Sequence, residues 1–256
     1  MRHQTILLPG AVLPAELAYG ALLDALAGDD VEAVAKELEV YATEQPPPDY
    51  SLDVEVQGVL RAADAAGFEH FHVVGYSGGG AAATAFAARH GDRVQSLALL
   101  EPAWIGNDGQ SVEEQRVWHE LARIMTLPPE QMLPAFVRLQ LAPGVDPPPP
   151  PPAPPPPWMA KRPAGLQALA AAFAQHRLDT ERLRGFDGPV YYALGALSNP
   201  DFYGRMAERA GRLFGDFTLE VFDGRHHFDP PHRVEPERLA RSLLALWERS
   251  EDGVAA

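Results

Sequence analysis

Short apolar runs alternate along the chain with stretches in which apolar positions recur every three or four residues. The apolar runs, bounded by proline, glycine or polar residues, predict six strands at residues 5–8, 32–40, 71–74, 96–100, 190–194 and 218–222. Helical spacing predicts helices at residues 16–27, 52–65, 78–90, 203–214 and 239–249. Strands that alternate with helices predict an α/β fold with a mostly parallel sheet covered by helices on both faces.

The alternation stops between residues 106 and 178, where the pattern is helical only. Helices are predicted there at residues 113–125, 130–141 and 165–176, and eleven prolines lie between Pro143 and Pro157. Proline fixes φ and lacks an N–H, so this run must be extended. It is interpreted as a surface linker, as a stiff strap across a pocket mouth, or as a ligand of an SH3-type domain. We predict a helical cap at residues 106–178, inserted into a core formed by residues 1–105 and 179–256.

Composition excludes several kinds of chemistry. The chain has 256 residues and no cysteine, which rules out disulfides, a cysteine zinc site and a thiol nucleophile. Its formal charge of −14 disfavours nucleic acid and anionic membranes as partners. With no apolar run of membrane-spanning length and no signal peptide, the expectation is a cytoplasmic protein, monomeric or homodimeric, that acts on a small molecule.

The most specific motif is Gly75-Tyr76-Ser77-Gly78-Gly79, which follows a predicted strand and precedes a predicted helix. A serine nucleophile on such a sharp turn requires glycine two positions before it and two positions after it. The helix N-terminus also provides N–H groups for a developing oxyanion. The motif therefore predicts Ser77 as a nucleophile.

A second interpretation uses the same glycines. Gly78-x-Gly80-x-x-Ala83 matches a dinucleotide-binding pattern, and Glu101 follows about 20 residues later, where a Rossmann fold places a ribose-binding carboxylate. The C-terminal part of the chain favours the serine, because a predicted strand there leads into Gly224-Arg225-His226-His227-Phe228 and then a helix. This places a histidine after the serine along the chain, which is the order found in hydrolases with a G-x-S-x-G nucleophile turn.

These motifs resemble the α/β-hydrolase superfamily, in its serine-nucleophile, esterase-like branch, over nearly the whole chain. The resemblance implies that Ser77 lies at the nucleophile elbow and that His227 is the general base. It implies that Pro9-Gly10-Ala11 forms the oxyanion loop, with N–H donors at Ala11 or Val12 together with Gly78. Neither a cofactor nor a metal is expected. The loop departs from the family, which usually has His-Gly where this chain has Pro9-Gly10.

The acid of the expected triad is left open by the sequence. The family typically has Gly-x-x-Asp after the strand at residues 190–194, but Gly195 is followed here by Ala-Leu-Ser. Glu101 is the first candidate, because some members of the superfamily place the acid after the preceding strand. Asp201 is the alternative, and a Ser–His dyad without a carboxylate is the third possibility.

We predict acyl transfer to water, with an ester, lactone or thioester of a small apolar acyl group as substrate. Tyr76, Trp104, Trp118 and Trp158 are candidates for the substrate pocket, although core packing also accounts for them. The alternatives are a C–C bond hydrolase or lyase on the same fold, a non-catalytic binding protein and a dinucleotide-binding oxidoreductase.

Overall fold

The computed structural model describes residues 2–150 and 153–254, and a six-stranded sheet forms their centre. The strands are β1 (His3–Leu8), β2 (Val31–Ala35), β3 (Phe71–Tyr76), β4 (Val94–Leu100), β5 (Val190–Gly195) and β6 (Phe217–Phe222). All neighbouring strands are parallel, in the order β2-β1-β3-β4-β5-β6. The predicted α/β class with a parallel sheet is therefore confirmed.

Helices cover both faces of the sheet. They are α1 (Ala15–Ala25), α2 (Leu52–Ala66), α3 (Gly78–His90), α4 (Val112–Ile124), α5 (Pro129–Leu139), α6 (Arg162–Gln175), α7 (Thr180–Arg184), α8 (Arg205–Leu213), α9 (Pro231–Val234) and α10 (Pro236–Val254). Alternate strand residues point to opposite faces, which produces two apolar layers. Leu7, Val74 and Leu100 pack with α1 and α10, while Ile6, Val73 and Leu99 pack with α2, α3 and α8.

Helices α4, α5 and α6 lie between β4 and β5, in the stretch where the sequence pattern is only helical. The end of α5 is attached to the loop after β5, because Ala142 N–H donates to the Leu197 carbonyl and Asn199 N–H donates to the Gln140 carbonyl. Pro148, within the proline run, lies against the cavity that contains Ser77. Pro151 and Pro152 of that run lie outside the described residues.

The second strand is shorter than its apolar pattern predicts. It ends at Ala35, and a short 3-10 turn follows at Glu39–Tyr41. The carboxylate of Glu55 accepts hydrogen bonds from the N–H groups of Glu39 at 2.9 Å and Val40 at 3.0 Å. These two amides therefore bind a side chain and do not pair with a neighbouring strand. No helix among the described residues is long and apolar enough to cross a membrane.

Candidate active site

Ser77 occupies a strained turn between β3 and α3. Its φ of 52° and ψ of −117° lie in a region that residues with a side chain rarely adopt. A Cβ on Gly75 would lie 2.5 Å from the Gly79 carbonyl oxygen, and a Cβ on Gly79 would lie 2.3 Å from the Leu8 carbonyl oxygen. The glycines on each side of Ser77 therefore permit the close packing that holds the serine in this conformation.

His227 reaches Ser77 from the loop after β6. Its Nε2 lies 3.1 Å from the Ser77 Oγ, and both side chains are buried. The Tyr76 hydroxyl donates to the His227 carbonyl, which fixes the histidine backbone beside the nucleophile turn. His226 takes no part in this contact, because its Nε2 lies 3.2 Å from Asp229. The structure thus brings together the serine and the histidine expected from the sequence.

Glu101 completes a hydrogen-bonded chain with these two residues. Its Oε2 lies 3.0 Å from the Nδ1 of His227, and its Oε1 accepts the Gly195 N–H at 2.7 Å. Glu101 is 4% exposed and has a φ of 45°; among the described residues it shares a positive φ with Ser77 and several glycines. Asp201 is exposed, and its backbone N–H is bound to the side chain of Asn199. The geometry thus favours Glu101 over Asp201 as the partner of His227.

The glycines after Ser77 serve packing between protein segments. A Cβ on Gly80 would lie 2.8 Å from Pro102, and Gly79 is tight against β1. A dinucleotide site would need the Glu101 carboxylate to bind a ribose. Here one oxygen of Glu101 contacts the His227 imidazole and the other accepts a hydrogen bond from the Gly195 N–H. These contacts favour the nucleophile-turn interpretation of the motif over the dinucleotide interpretation.

Gly78 and Ala11, two residues expected to provide backbone N–H donors, line a small space together with Ser77. Gly78 begins α3, and a Cβ added to it would lie in van der Waals contact, at 3.7 Å, with the nitrogen of Ala11 in the loop after β1. Neither the Gly78 nor the Ala11 N–H makes a backbone hydrogen bond among the described residues. Gly10 allows this approach, since a Cβ there would lie 2.6 Å from the Tyr76 ring. Val12, the other expected donor, lies one residue farther along, on a cavity wall.

Ser77 lines two cavities of different size. The first, which we call the cap-side cavity, has a volume of about 30 Å³. It is lined by Ala11, Ser77, Gly78, Ala103, Leu121, Met125, Phe136, Gln140, Leu166, Leu169, Ala170, Phe173, Phe202 and Tyr203. The second, which we call the loop-side cavity, has a volume of about 190 Å³. It is lined by Gly10, Ala11, Val12, Leu13, Ala18, Tyr76, Ser77, Phe136, Pro148, His227, Phe228, Pro230, His232 and Arg233.

Larger hollows of about 740 and 620 Å³ lie elsewhere, and their linings contain neither Ser77 nor His227. Of the aromatic residues suggested by the sequence, Tyr76 lines the loop-side cavity. The three tryptophans do not line either cavity at Ser77. Trp104 is fully buried against Phe173, Trp118 packs edge-on against Phe173 and Phe202, and Trp158 lies near Arg162. The structure thus assigns them packing positions.

Tyr203 and Gln140 contribute to the site without having been suggested by the sequence. The Tyr203 ring stacks on the His227 imidazole at 4.5 Å between centroids, with 14° between the planes. Its hydroxyl lies 3.1 Å from Nε2 and donates to the Gln140 Oε1. Tyr203 lies only two residues beyond Asp201, but nothing in the local sequence indicates that its ring meets His227.

His232 is a fully buried histidine beside the loop-side cavity, between the rings of Tyr19 and Tyr76. The pKa of His232 is lowered from its usual 6.5 to about 3, chiefly by burial and to a smaller extent by the charges of Arg233 and His227. Between these two pH values the unfolded chain binds a proton that the folded chain does not. We therefore expect the stability to fall as the pH decreases from 6.5 towards 3, with His232 contributing up to about 1.4 kcal/mol per pH unit.

Urea unfolding at a series of pH values measures this contribution. His232→Phe keeps an aromatic ring between the two tyrosines and removes the titrating group, so its stability should depend less steeply on pH. His119→Gln changes an exposed histidine on α4 and should leave the slope unchanged. Equal slopes for the wild type and His232→Phe would contradict the expected burial of a neutral imidazole.

Comparison with known proteins agrees with this architecture. A family model described as the alpha/beta hydrolase fold matches residues 41–125. Carboxylesterases of the thaumarchaeon Nitrososphaera gargenis superpose with a TM-score of 0.73 at 14% identity, over 98% of this chain and 92% of theirs. An esterase of Exiguobacterium antarcticum has a TM-score of 0.71 at 17% identity, over 96% and 92%.

Another similar structure is that of a hydrolase that its name does not describe as an esterase. A meta-cleavage product hydrolase of Pseudomonas fluorescens has a TM-score of 0.60 at 16% identity, over 97% of this chain and 91% of that one. No curated protein matches the chain. At these identities the likeness concerns the fold, which is the one expected from the motifs around Ser77 and His227. The chain has the α/β-hydrolase fold.

Proposed function

We propose that this protein is a serine hydrolase that cleaves carboxylic esters through an acyl-enzyme. The observation that carries the proposal is the buried chain of hydrogen bonds from Ser77 through His227 to Glu101, at a point where two cavities meet. A nucleophile, a base and an orienting carboxylate in this order constitute the arrangement that acyl transfer needs.

In the first half of the reaction, the Ser77 oxygen forms a bond to the ester carbonyl carbon while His227 Nε2 takes the hydroxyl proton. Glu101 holds the Nδ1 proton and stabilises the resulting imidazolium. The tetrahedral intermediate then collapses, the C–O bond to the alcohol breaks, and His227 returns the proton to the departing alkoxide. In the second half, His227 deprotonates a water molecule that attacks the acyl carbon; the bond between this carbon and the Ser77 oxygen then breaks, and His227 returns the proton to Ser77 as the acid leaves.

The oxyanion of each tetrahedral intermediate would accept hydrogen bonds from the N–H groups of Gly78 and Ala11. Both groups border the cap-side cavity together with Ser77, and Gly78 is at the positive end of the α3 dipole. Because these donors belong to the backbone and are held by tight packing at Gly10 and Gly79, they require little reorganisation during the reaction.

The sizes of the two cavities support a short acyl group. A volume of about 30 Å³ in the cap-side cavity accommodates about two water-sized groups, which corresponds to an acetyl or propionyl chain. Its walls are mainly apolar, and Leu169 Cδ1 would lie 3.6 Å from a Cβ on Gly78, close to the oxyanion donors. The larger loop-side cavity, with Arg233 at its wall, would then hold the alcohol part of the ester.

Hydrolysis of p-nitrophenyl esters of increasing acyl length tests this assignment. The wild type should prefer acetate, and its kcat/KM should fall by at least about tenfold from acetate to octanoate, since each buried methylene that does not fit loses binding energy and causes strain. Leu169→Ala enlarges the cap-side cavity and should shift the preference towards butyrate or longer chains.

Leu197→Ala serves as the matched control, because it makes the same substitution at a partly exposed position outside both cavities. It should keep the wild-type chain-length profile. If Leu169→Ala also keeps that profile, the acyl group does not enter the cap-side cavity. If no ester is turned over by any of the folded variants, ester hydrolysis itself is not the reaction.

A further inference from the structure

A second cluster of chemically active side chains lies at the opposite end of the sheet. His3 begins β1, His72 is the second residue of β3, and Glu251 lies near the end of α10. Their nitrogen and oxygen atoms lie within 4.8 Å of one another. The Nδ1 of His3 is 2.9 Å from Glu251 Oε1, and the Nε2 of His72 is 3.7 Å from the same oxygen. The three residues come from distant parts of the chain, so the sequence pattern gave no indication of the cluster.

One buried ring nitrogen of this cluster, the Nε2 of His72, lacks a hydrogen-bond partner among the described residues. The His72 side chain is fully buried, and its Nδ1 lies 2.9 Å from the Ser96 Oγ. The Nε2 atom has no hydrogen-bond partner among the described residues, since 3.7 Å is too long for a hydrogen bond to Glu251. When Nδ1–H donates to Ser96, the Nε2 lone pair has no donor among the described residues and lies 3.7 Å from a carboxylate oxygen, and a cation bound to both atoms would stabilise this arrangement.

We propose that His3 Nδ1, His72 Nε2 and a carboxylate oxygen of Glu251 bind one Zn²⁺ ion, with a water molecule as the fourth ligand. Two imidazole nitrogens and one carboxylate oxygen are a ligand set that zinc accepts in proteins. Ligand atoms roughly 2.0–2.1 Å from a tetrahedral ion lie about 3.3 Å apart. The observed separations of 2.9 and 3.7 Å from Glu251 Oε1 bracket this value, and the ligand atoms of the two histidines lie within 4.8 Å of each other, so the side chains would have to draw together to enclose the ion.

The surroundings of the cluster resemble those of metal ligands in general. Ser96 binds the second ring nitrogen of His72, which is the outer contact that fixes the tautomer of a metal-bound histidine. The Trp247 indole packs against both imidazoles, at 5.2 Å from His72 and 5.5 Å from His3, and forms an apolar wall. Such a wall limits the access of water and strengthens the attraction between the ion and its ligands.

Zinc bound here would be structural, because it would join β1, β3 and α10. His72 precedes Ser77 by five residues of nearly continuous strand, which corresponds to about 16 Å. The ion would therefore stabilise the fold without touching the ester. The proposal does not depend on the hydrolase activity, and its test uses metal content and thermal stability.

The experiment uses the full, untagged chain after dialysis against EDTA. Zn²⁺ is added back, the unfolding midpoint is measured with free Zn²⁺ present, and zinc per chain is measured after desalting. The wild type should retain one Zn²⁺ per chain and gain about 5 °C or more in Tm at 100-fold excess over Kd. Co²⁺ in place of Zn²⁺ should give the visible absorption of a tetrahedral site.

Glu251→Gln should lose the retained zinc, the Tm gain and the cobalt absorption, because an amide oxygen is a much weaker zinc ligand. Glu248→Gln makes the same change at an exposed position of α10 and should behave as the wild type. His72→Phe should also lose the zinc while keeping an aromatic ring against Trp247. If His72→Phe does not fold, the comparison of Glu251→Gln with Glu248→Gln tests the zinc site. Absence of retained zinc in the wild type, or equal binding by Glu251→Gln and Glu248→Gln, would overturn the proposal.

Discussion

Ser77→Ala should lower kcat for ester hydrolysis by about 10⁶-fold while changing KM little, since a lost nucleophile removes the covalent pathway altogether. The residual rate would come from the oxyanion donors and from substrate binding, which the substitution leaves in place. Steady-state kinetics with p-nitrophenyl acetate measure the effect. The alanine should fit without distortion, because it removes one buried hydroxyl whose partner is His227.

Ser51→Ala is the matched control for this prediction. Ser51 precedes α2, and its side chain makes no capping hydrogen bond, so the same substitution should leave kcat near the wild-type value. A folded Ser77→Ala variant with more than a tenth of the wild-type kcat would show that Ser77 is not the nucleophile.

Glu101→Gln should lower kcat by about 10⁴-fold with little change in KM. The reason lies in the second contact of the carboxylate. Gly195 N–H donates to Oε1 at 2.7 Å, so a glutamine would place its oxygen there and its NH₂ towards the Nδ1 of His227. The imidazole would then carry its proton on Nε2 and could not accept the proton of Ser77.

Asp201→Asn removes the other candidate carboxylate and should retain most of the activity, since Asp201 is exposed. Kinetics of the two variants, measured side by side, separate the three possibilities that the sequence left open. A large loss in Asp201→Asn with a small loss in Glu101→Gln would assign the acid to Asp201. Losses below about tenfold in both variants would favour a Ser–His dyad.

The fold could be predicted from the sequence because each strand and helix is indicated by the pattern of its own residues. Six apolar runs with proline, glycine or polar boundaries correspond to the six strands, and the small residues after Ser77 correspond to α3. The predicted strand at residues 32–40 was too long because Glu55, on a different element, binds the amides of Glu39 and Val40. A contact of this kind between separate elements leaves no periodic signal at either position.

The candidate site could be predicted only in part, because some of its contacts join residues that are distant in the sequence. Ser77 and His227 lie in short sequence motifs, and each motif predicts the local backbone conformation of its residue. The choice between Glu101 and Asp201 depends on how the ends of β4 and β5 meet, and there the Gly195 amide binds Glu101. The stacking of Tyr203 on His227 likewise depends on the path of the chain after β5, which no local pattern encodes.

The most direct test of the account is the reaction of the folded chain with a fluorophosphonate, read by intact-mass and peptide-mapping mass spectrometry. These reagents phosphonylate serines that an adjacent base activates. We predict one adduct per chain on Ser77, which should be absent in Ser77→Ala and should form much more slowly in Glu101→Gln. A folded wild-type chain that remains unlabelled, as expected of a non-catalytic binding protein, or an adduct on another residue, would contradict it.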